Sequence, residues 1–265
     1  MKKHIFRHAI MALGICSVLN IQAQAPHPER IYLSGTGIDN TRTWEFFCTK
    51  GLNSGKWKPI EVPCCWELQG FGEYTYGRYY MVKGAKPSDE IGIYRYYFQT
   101  PKCKRNDRVK LFFDGVMTDA EVLINGKPAG NIHQGAFYRF SYDITSLLNT
   151  EGKNQLEVKV AKQSANKSVN AAERRADWWL FGGIYRPVWL EVVPEVSMEH
   201  FAIDARADGH FRASVRTSGD SEGYFLSISV QGLKDGKFLK TDEGKEEMTC
   251  RISCAGKETN VETWW

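Results

Sequence analysis

One short segment of the chain combines the residue types that bind sugars. Ala176–Leu190 joins an aspartate, three tryptophans and a Gly-Gly pair to a strand-like run. An aromatic ring stacks on the apolar C–H face of a sugar, and a carboxylate accepts hydrogen bonds from neighbouring hydroxyls. Asp177, Trp178 and Trp179 are therefore candidate carbohydrate-binding residues. A second interpretation stays open, in which the tryptophans form a hydrophobic corner between two β-sheets and Asp177 caps a turn.

The elements that must position these residues are predicted to be β-strands. Apolar and polar residues alternate in Val109–Phe113, Ala120–Ile124 and Leu156–Val160, which is typical of strands with one buried face. Asn125-Gly126 predicts a type I′ hairpin turn, since both of its central residues need positive φ. No long stretch keeps a helical period, so we predict an all-β fold built from β-sandwiches.

Two β-domains are expected along the chain. Residues 24–195 hold the aromatic strands, and residues 196–265 hold shorter, less aromatic ones at Phe211–Thr217, Tyr224–Val230 and Glu247–Cys254. An immunoglobulin-like sandwich takes about 100 residues. The second segment is shorter, so we expect an incomplete domain and a truncated chain.

The first 23 residues are predicted to be an export signal. Lys2, Lys3 and Arg7 form a basic start, and the apolar run Ala9–Ile21 that follows is too short to span a membrane. Cleavage is expected after Ala23. The mature chain is then soluble, makes no membrane contact and is periplasmic or secreted.

Charge and cysteine spacing argue against two other classes of protein. The formal charge of +4 falls to about +1 once the three basic residues of the signal are removed, so no basic surface remains to attract nucleic acid. The six cysteines after residue 23 show no zinc-site spacing, and His133 has no neighbouring ligand cluster in the sequence. We expect no resident metal and no cofactor. The cysteines are interpreted as small buried thiols, with a disulfide as the alternative.

Six sequence blocks occur in an order that is characteristic of one enzyme family. They are Val62–Glu67, Ile93–Phe98, the hairpin Phe113–Val116 with Val122–Lys127, Phe140–Thr145, Asn154–Val158 and Gly182–Arg186. Together they resemble the N-terminal part of a glycoside hydrolase of family 2, which includes β-galactosidases, β-glucuronidases and β-mannosidases.

The resemblance implies a jelly-roll sugar-binding domain, then an immunoglobulin-like domain and then a catalytic (β/α)₈ barrel. In the family, two glutamates of the barrel act as acid/base and nucleophile in a retaining mechanism. This sequence has no Asn-Glu dipeptide, and predicted strands occupy most of its length. We therefore assign no catalytic residue and expect no glycoside hydrolysis by this chain alone.

The resemblance also implies a role for two loops. In β-galactosidases of the family, an aspartate ahead of the Gly-Ile-aromatic-Arg strand contacts sugar hydroxyls and a monovalent cation, and Asp177 takes that place. Arg78 stands where those enzymes carry an asparagine. Its cationic donor fork suits a carboxylated or differently substituted sugar, or it stacks on Tyr76 or Tyr79. The substrate-binding set is therefore Asp177, Arg78, Trp178 and Trp179.

The remaining polar residues of the blocks are assigned structural roles. Asn125 and Asp143 are expected in turns, and Glu173, Arg174 and Arg175 are interpreted as a solvated charge cluster.

Three functions remain in competition. The first is the non-catalytic part of an exported retaining β-glycosidase, β-galactosidase-like, that binds a β-glycoside. The second is a free-standing jelly-roll carbohydrate-binding protein. The third is an inactive remnant that aggregates through unpaired strand edges. The sugar and the oligomeric state stay open.

Overall fold

The computed structural model describes residues 29–207 and 210–219, and beyond them the strands between 224 and 264. The predicted export signal lies outside the described residues. The strands, in chain order, are β1 Ile31–Tyr32, β2 Arg42–Cys48, β3 Trp57–Val62, β4 Thr75–Tyr76, β5 Ile91–Gln99, β6 Arg108–Phe113, β7 Asp119–Ile124, β8 Lys127–Pro128, β9 His133–Gln134, β10 Phe140–Asp143, β11 Lys153–Ala161, β12 Trp179–Leu180, β13 Val188–Val193, β14 Met198–Ala205, β15 His210–Thr217, β16 Tyr224–Val230, β17 Leu233–Lys234, β18 Lys237–Phe238, β19 Met248–Cys254 and β20 Thr259–Trp264.

Helical structure is sparse in the described part of the chain. The α-helix is α1, Lys167–Glu173, and short 3₁₀ turns cover Trp66–Gln69, Gly77–Met81 and Thr145–Leu147. Asn166 caps α1, because its side-chain oxygen accepts a hydrogen bond from the Ser168 amide.

Two antiparallel sheets form a sandwich from eleven of the first thirteen strands, and the other two, β4 and β12, pair with each other. The smaller sheet has the order β1-β13-β6-β10, and the larger has the order β3-β2-β5-β11-β7-β8, with β9 also paired to β7. Side chains of both sheets meet in one buried core. The predicted all-β sandwich is therefore confirmed.

The core follows the alternation in the sequence. Every second residue of β6, β7 and β11 is apolar and buried: Val109, Leu111, Phe113, Ala120, Val122, Ile124, Leu156, Val158 and Val160. Burying a large apolar side chain stabilises a fold by about 1.5–3 kcal/mol. The predicted hairpin is confirmed as well, since Asn125 and Gly126 have φ of 52° and 76° between β7 and β8.

The later strands pair among themselves in separate small sheets. The order β14-β15-β20 forms one sheet, while β16 pairs with β19 and β17 with β18. The strands predicted at Phe211–Thr217, Tyr224–Val230 and Glu247–Cys254 match β15, β16 and β19 to within one residue. The domain boundary between residues 195 and 196 and the incomplete immunoglobulin-like domain stay predictions.

The described cysteines differ in their exposure. Cys48 and Cys64 are buried and Cys65 is half-buried, whereas Cys103 is exposed, and all four are free thiols. The prediction of buried thiols is thus wrong for Cys103, which lies in the loop between β5 and β6, where there is no core to cover it. Burial raises the pKa of Cys64 and of Cys65 to about 12, so both are protonated at neutral pH. The side chains of Cys250 and Cys254 lie outside the described residues.

Candidate functional site

Two loops that are distant in sequence meet at one end of the sandwich. The two-residue strands β4 and β12 pair antiparallel, with Trp179 opposite Tyr76. The Gly77 amide continues the ladder by donating to the Trp178 carbonyl oxygen at 2.7 Å. A Cβ atom on Gly77 would lie 2.2 Å from the Ala176 carbonyl oxygen, so only glycine allows this close approach.

This pairing places Arg78 beside Asp177. The Arg78 Nη2 atom donates a hydrogen bond to Asp177 Oδ2 at 2.6 Å, and the Tyr76 hydroxyl donates to Asp177 Oδ1. The Arg78 and Asp177 side chains are 51% and 58% exposed, so both remain open to solvent. The hydrogen bond to the Asp177 carboxylate raises the pKa of Tyr76. Two of the residues selected from the sequence therefore form one polar contact.

Exposed aromatic rings surround that contact. Trp178 and Trp179 are 46% and 51% exposed, and Tyr74 and Tyr76 are also on the surface. Trp179 packs edge-on against Tyr76, with ring centroids 5.2 Å apart, and against Tyr74 at 6.0 Å. The Asp177 site is defined here as Tyr76, Arg78, Asp177, Trp178 and Trp179. The sequence analysis did not place Tyr76 in the site, although the sequence shows several tyrosines close together around it.

The alternative of a hydrophobic corner is wrong for Trp178 and Trp179 because both are exposed. It holds instead for Trp189, which is 2% exposed and stacks on Phe112 with ring centroids 4.1 Å apart. The Asp177 carboxylate accepts from two side chains, so the proposed turn cap is not its main role in the described structure.

A buried ionic cluster lies beneath the two loops. The Lys162 Nζ atom is 2.7 Å from Glu67 Oε1 and 3.5 Å from Glu90 Oε1, and the side chains of Lys162 and Glu67 are both 0% exposed. We refer to these three residues as the Lys162 cluster. Burial raises the pKa of Glu67, while the nearby Lys162 ammonium opposes that rise.

The Lys162 cluster binds the backbone of both loops. Lys162 Nζ donates to the Glu73 carbonyl oxygen, and Glu90 Oε1 accepts from the Glu73 amide. Glu67 accepts from the Gly182 amide at 3.1 Å. The segments that carry Tyr76 and Asp177 are therefore held by charge-assisted hydrogen bonds from below.

Sequence reasoning missed the Lys162 cluster, although one signal was available. Leu156, Val158 and Val160 all face the core, so position 162 continues the same side of the strand pattern. A lysine there is buried, and it needs a carboxylate partner.

The Gly-Gly pair has a packing role. A Cβ on Gly182 would lie 2.2 Å from the Trp66 ring, and Gly183 has φ of 122°, which disfavours any side chain. The backbone therefore passes flat across the buried Trp66 indole. This contact fixes the end of the loop that begins at Asp177.

The charge cluster predicted around residue 174 is corrected by the structure. Glu173 and Arg174 are buried, not solvated: Glu173 accepts from the Ala136 amide at 2.8 Å and Arg174 donates to the Phe181 carbonyl oxygen at 2.7 Å. Burial lowers the pKa of Arg174. Arg175 is exposed, as expected. The sequence could not show this burial, because it depends on backbone partners elsewhere in the fold: Ala136, between β9 and β10, and Phe181, just after β12.

The turn roles assigned to Asn125 and Asp143 are confirmed. Asn125 lies in the hairpin turn and also donates to the Leu147 carbonyl oxygen at 2.9 Å. Asp143 Oδ1 accepts from the Thr145 amide at 3.1 Å, which is an Asx turn.

Neither a metal centre nor a membrane span is found in the described part of the chain. No three His, Cys, Asp or Glu side chains there are grouped to hold a metal ion. His133 contacts the Gly135 carbonyl oxygen at 2.9 Å and stacks on Phe140. Among the same residues, no helix has the length and apolar character to cross a membrane.

An antiparallel sandwich that presents a carboxylate beside exposed tryptophans has the features of a carbohydrate-binding β-domain. Residues 43–194, more than half of the chain, match the sequence model of the glycosyl hydrolases family 2 sugar-binding domain. The chain therefore belongs to glycosyl hydrolase family 2, as the sequence blocks indicated.

Relatives include both β-galactosidases and β-glucuronidases. A predicted β-glucuronidase of Formosa agariphila is 32% identical over 265 residues, which cover 96% of this chain and 23% of the relative. A β-galactosidase of Thermoanaerobacter pseudethanolicus is 28% identical over 162 residues, covering 60% of this chain and 20% of the relative. The chain thus spans about a fifth of the length of these relatives.

Solved structures share the fold. A Bifidobacterium dentium β-glucuronidase complexed with coumarin-3-O-glucuronide superposes with a TM-score of 0.58 at 19% identity, over 90% of this chain and 43% of that one. A Bacteroides uniformis β-glucuronidase gives a TM-score of 0.57 at 22% identity, over 89% of this chain and 27% of that one. At such identities the likeness concerns the fold alone.

Proposed function

We propose that this chain is the N-terminal, non-catalytic part of an exported retaining β-glycosidase, and that its Asp177 site forms one side of the sugar pocket. The observation that carries the proposal is the contact among Tyr76, Arg78 and Asp177 beside exposed Trp178 and Trp179. A β-galactoside is the first substrate class, because β-galactosidases recur among the relatives.

The chemistry of the site suits binding more than bond cleavage. Each Asp177 oxygen accepts one hydrogen bond and retains a further acceptor position for a sugar hydroxyl. The exposed tryptophan faces can stack on the C–H face of the ring. Retaining cleavage needs a second carboxyl group about 5–5.5 Å from the first. In this proposal both of those groups come from a barrel domain and not from the Asp177 site.

Arg78 favours a second substrate class, the β-glucuronides. Its guanidinium uses one terminal nitrogen for Asp177 and is half-exposed, so further N–H donors point to solvent. A sugar carboxylate could take a bidentate position on those donors. The match to a predicted β-glucuronidase over 96% of this chain agrees with this substrate class.

A free-standing carbohydrate-binding protein is the alternative function. One observation favours it: Tyr76, Arg78, Asp177 and Trp179 contact one another directly, so no other domain is needed to bring them together. In that case the isolated chain binds sugar without a partner domain.

Isothermal titration of residues 24–265 with galactose, lactose and glucuronate tests these functions. Asp177→Ala is the test variant, and Asp89→Ala is the matched control, because Asp89 forms a similarly exposed ion pair with Lys50 at 2.8 Å. Binding that is lost only in Asp177→Ala supports the free-standing site. Binding that survives in Asp177→Ala contradicts the proposed sugar contact. No binding to folded wild type removes the free-standing alternative, and turnover of a chromogenic β-galactoside would contradict the assignment as non-catalytic.

Export is tested separately. N-terminal sequencing of the protein from a periplasmic or culture fraction is expected to begin at Gln24. A chain that keeps Met1 and remains in the cytoplasm would contradict the export signal.

A further inference from the structure

A second cleft lies on the larger sheet and shares no residue with the Asp177 site. It has a volume of about 490 Å³, and its lining includes Glu45, Trp57, Pro59, Arg95 and Tyr97. That volume is within the usual range for small-ligand sites, about 300–1,000 Å³. We refer to it as the Trp57 cleft.

The side chains of the Trp57 cleft project from the outer face of the sheet. Along β2 and β5 the alternate residues Trp44, Phe46 and Tyr94 are buried in the core. Because side chains alternate across a strand, Glu45 and Arg95 point the other way. Trp57 and Tyr97 are 41% and 47% exposed, so part of each ring is accessible to a ligand.

Neighbouring contacts hold the cleft side chains in place. The Arg95 guanidinium stacks over the Trp57 ring at 4.1 Å, and its Nε atom donates to Glu157 Oε2 at 2.7 Å. The Tyr97 hydroxyl accepts from Gln155 Nε2 at 3.0 Å. These rings are therefore pre-organised, so binding a ligand would cost little side-chain entropy.

The cleft also offers hydrogen-bonding groups without partners. In the described structure, the Glu45 carboxylate makes no hydrogen bond or ion pair, although Arg95 is its cross-strand neighbour. The Tyr97 hydroxyl hydrogen and the terminal nitrogens of Arg95 have no protein acceptor among the same residues. Donors and acceptors are thus mixed, which matches the hydroxyl groups of a sugar.

The charge of the cleft favours a neutral ligand. Arg95 is paired with Glu157, and Lys58 and Glu45 carry one charge of each sign in the lining. These four charges sum to zero, so an anionic ligand gains no net attraction that would offset its desolvation.

The spacing of the two rings favours a chain of sugars over a single sugar. Trp57 is opposite Phe47, whereas Tyr97 lies two residues beyond the Glu45–Arg95 pair in the other direction. The two positions are therefore about 13 Å apart along the strands and about 9–10 Å apart across them. One pyranose ring cannot contact both, so the rings contact separate units.

We propose that the Trp57 cleft is a second carbohydrate site that binds a neutral oligosaccharide. Trp57 and Tyr97 stack on different sugar units, and Glu45 and Arg95 bind the hydroxyls between them. The site needs neither Asp177 nor Arg78, so it can be tested independently of the proposed function.

Calorimetric titration of residues 24–265 with cellotetraose and β-1,4-galactotetraose tests this proposal, with tetragalacturonate as the anionic comparison. Trp57→Ala and Tyr97→Ala are each expected to weaken binding of a neutral tetrasaccharide by about tenfold. Trp57→Phe keeps a ring and should restore most of the affinity. Tyr138→Ala removes an exposed ring outside the cleft and is the matched control. It should leave the affinity unchanged.

The outcomes distinguish the two sites. Loss of tetrasaccharide binding in Asp177→Ala together with full binding in Trp57→Ala would overturn the Trp57 cleft and leave the Asp177 site standing. Absence of tetrasaccharide binding in folded wild type would also overturn it. Tighter binding of tetragalacturonate than of the neutral tetrasaccharides would refute the neutral ligand class.

Discussion

Two ion pairs of nearly equal length lie at the same end of the sandwich. Arg78 and Asp177 are 2.6 Å apart and more than half exposed, whereas Lys162 and Glu67 are 2.7 Å apart and fully buried. Water screens the first pair, so it contributes about 0–1 kcal/mol to stability. The second is shielded from solvent, and removing one partner would leave the other buried charge without its ion-pair partner.

The two pairs are expected to have different roles, since one fixes the positions of the loops and the other is proposed to contact a sugar. The Lys162 cluster binds the backbone of both loops, so it sets where the loops lie. The Asp177 site lies on the same loops and retains exposed polar atoms and rings. In the proposed function, stability and ligand contact therefore depend on different charges, and mutations should separate them.

The largest loss of stability is expected from Lys162→Met. It leaves Glu67 and Glu90 buried without a cation, which should lower the free energy of unfolding by about 3–5 kcal/mol. Urea unfolding followed by fluorescence measures it. Lys50→Met removes the exposed partner of Asp89 and serves as the control, and it should leave the free energy of unfolding nearly unchanged. If Lys162→Met and Lys50→Met lowered the free energy of unfolding equally, the contrast between the buried and the exposed ion pair would be contradicted.

Gly182→Ala should have the next largest effect. The new Cβ would overlap the Trp66 ring at 2.2 Å, and the shift would also strain the Gly182 amide contact to Glu67. We expect a loss of about 1–3 kcal/mol in thermal or urea unfolding. Gly37→Ala, where a Cβ meets nothing within 4 Å, should change little. A stable Gly182→Ala variant would show that the loop is less tightly packed than described.

The pH dependence of stability should have opposite signs at a buried and an exposed carboxylate. The pKa of Glu67 is raised from 4.5 by burial, so its contribution to stability is present below that value and falls as pH rises through the folded pKa. The pKa of Asp89 is lowered from 3.8 by its hydrogen bond to Lys50, so its contribution is present above that value and is lost as pH falls. Unfolding of Glu67→Gln and Asp89→Asn against pH, each relative to wild type, measures both. If the contributions of Glu67 and Asp89 to the free energy of unfolding changed with pH in the same direction, these assignments would be contradicted.

The smallest effect on stability is expected from Arg78→Ala. The exposed pair with Asp177 contributes about 0–1 kcal/mol, so unfolding should be nearly unchanged. Binding of glucuronate should nevertheless weaken more than binding of galactose, because only the acid needs the guanidinium. A large loss of stability would place Arg78 with the Lys162 cluster instead of with the binding site.

Much of the fold could be predicted because its determinants are local. The alternation in β6, β7 and β11 assigned each side chain to the core or the surface, and the Asn125-Gly126 turn followed from its need for positive φ. The candidate site was found in part: Asp177 and Arg78 were both named before any contact between them was known. Tyr76 was named only as a stacking partner of Arg78 and not as a contact of Asp177, because no local pattern links residues that are about 100 positions apart.

By itself, the sequence determined the strands, the hairpin, the family and the residue types of the Asp177 site, since periodicity and short motifs act over a few neighbouring positions. Only the tertiary structure decided which charges are buried and which are exposed. Arg174 was predicted to be solvated, yet packing buries it together with Lys162 and leaves Arg78 in solvent. The physical reason is desolvation: the energy of a charge depends on what the whole fold places around it, and a strand pattern does not show which distant carboxylates will meet a buried cation.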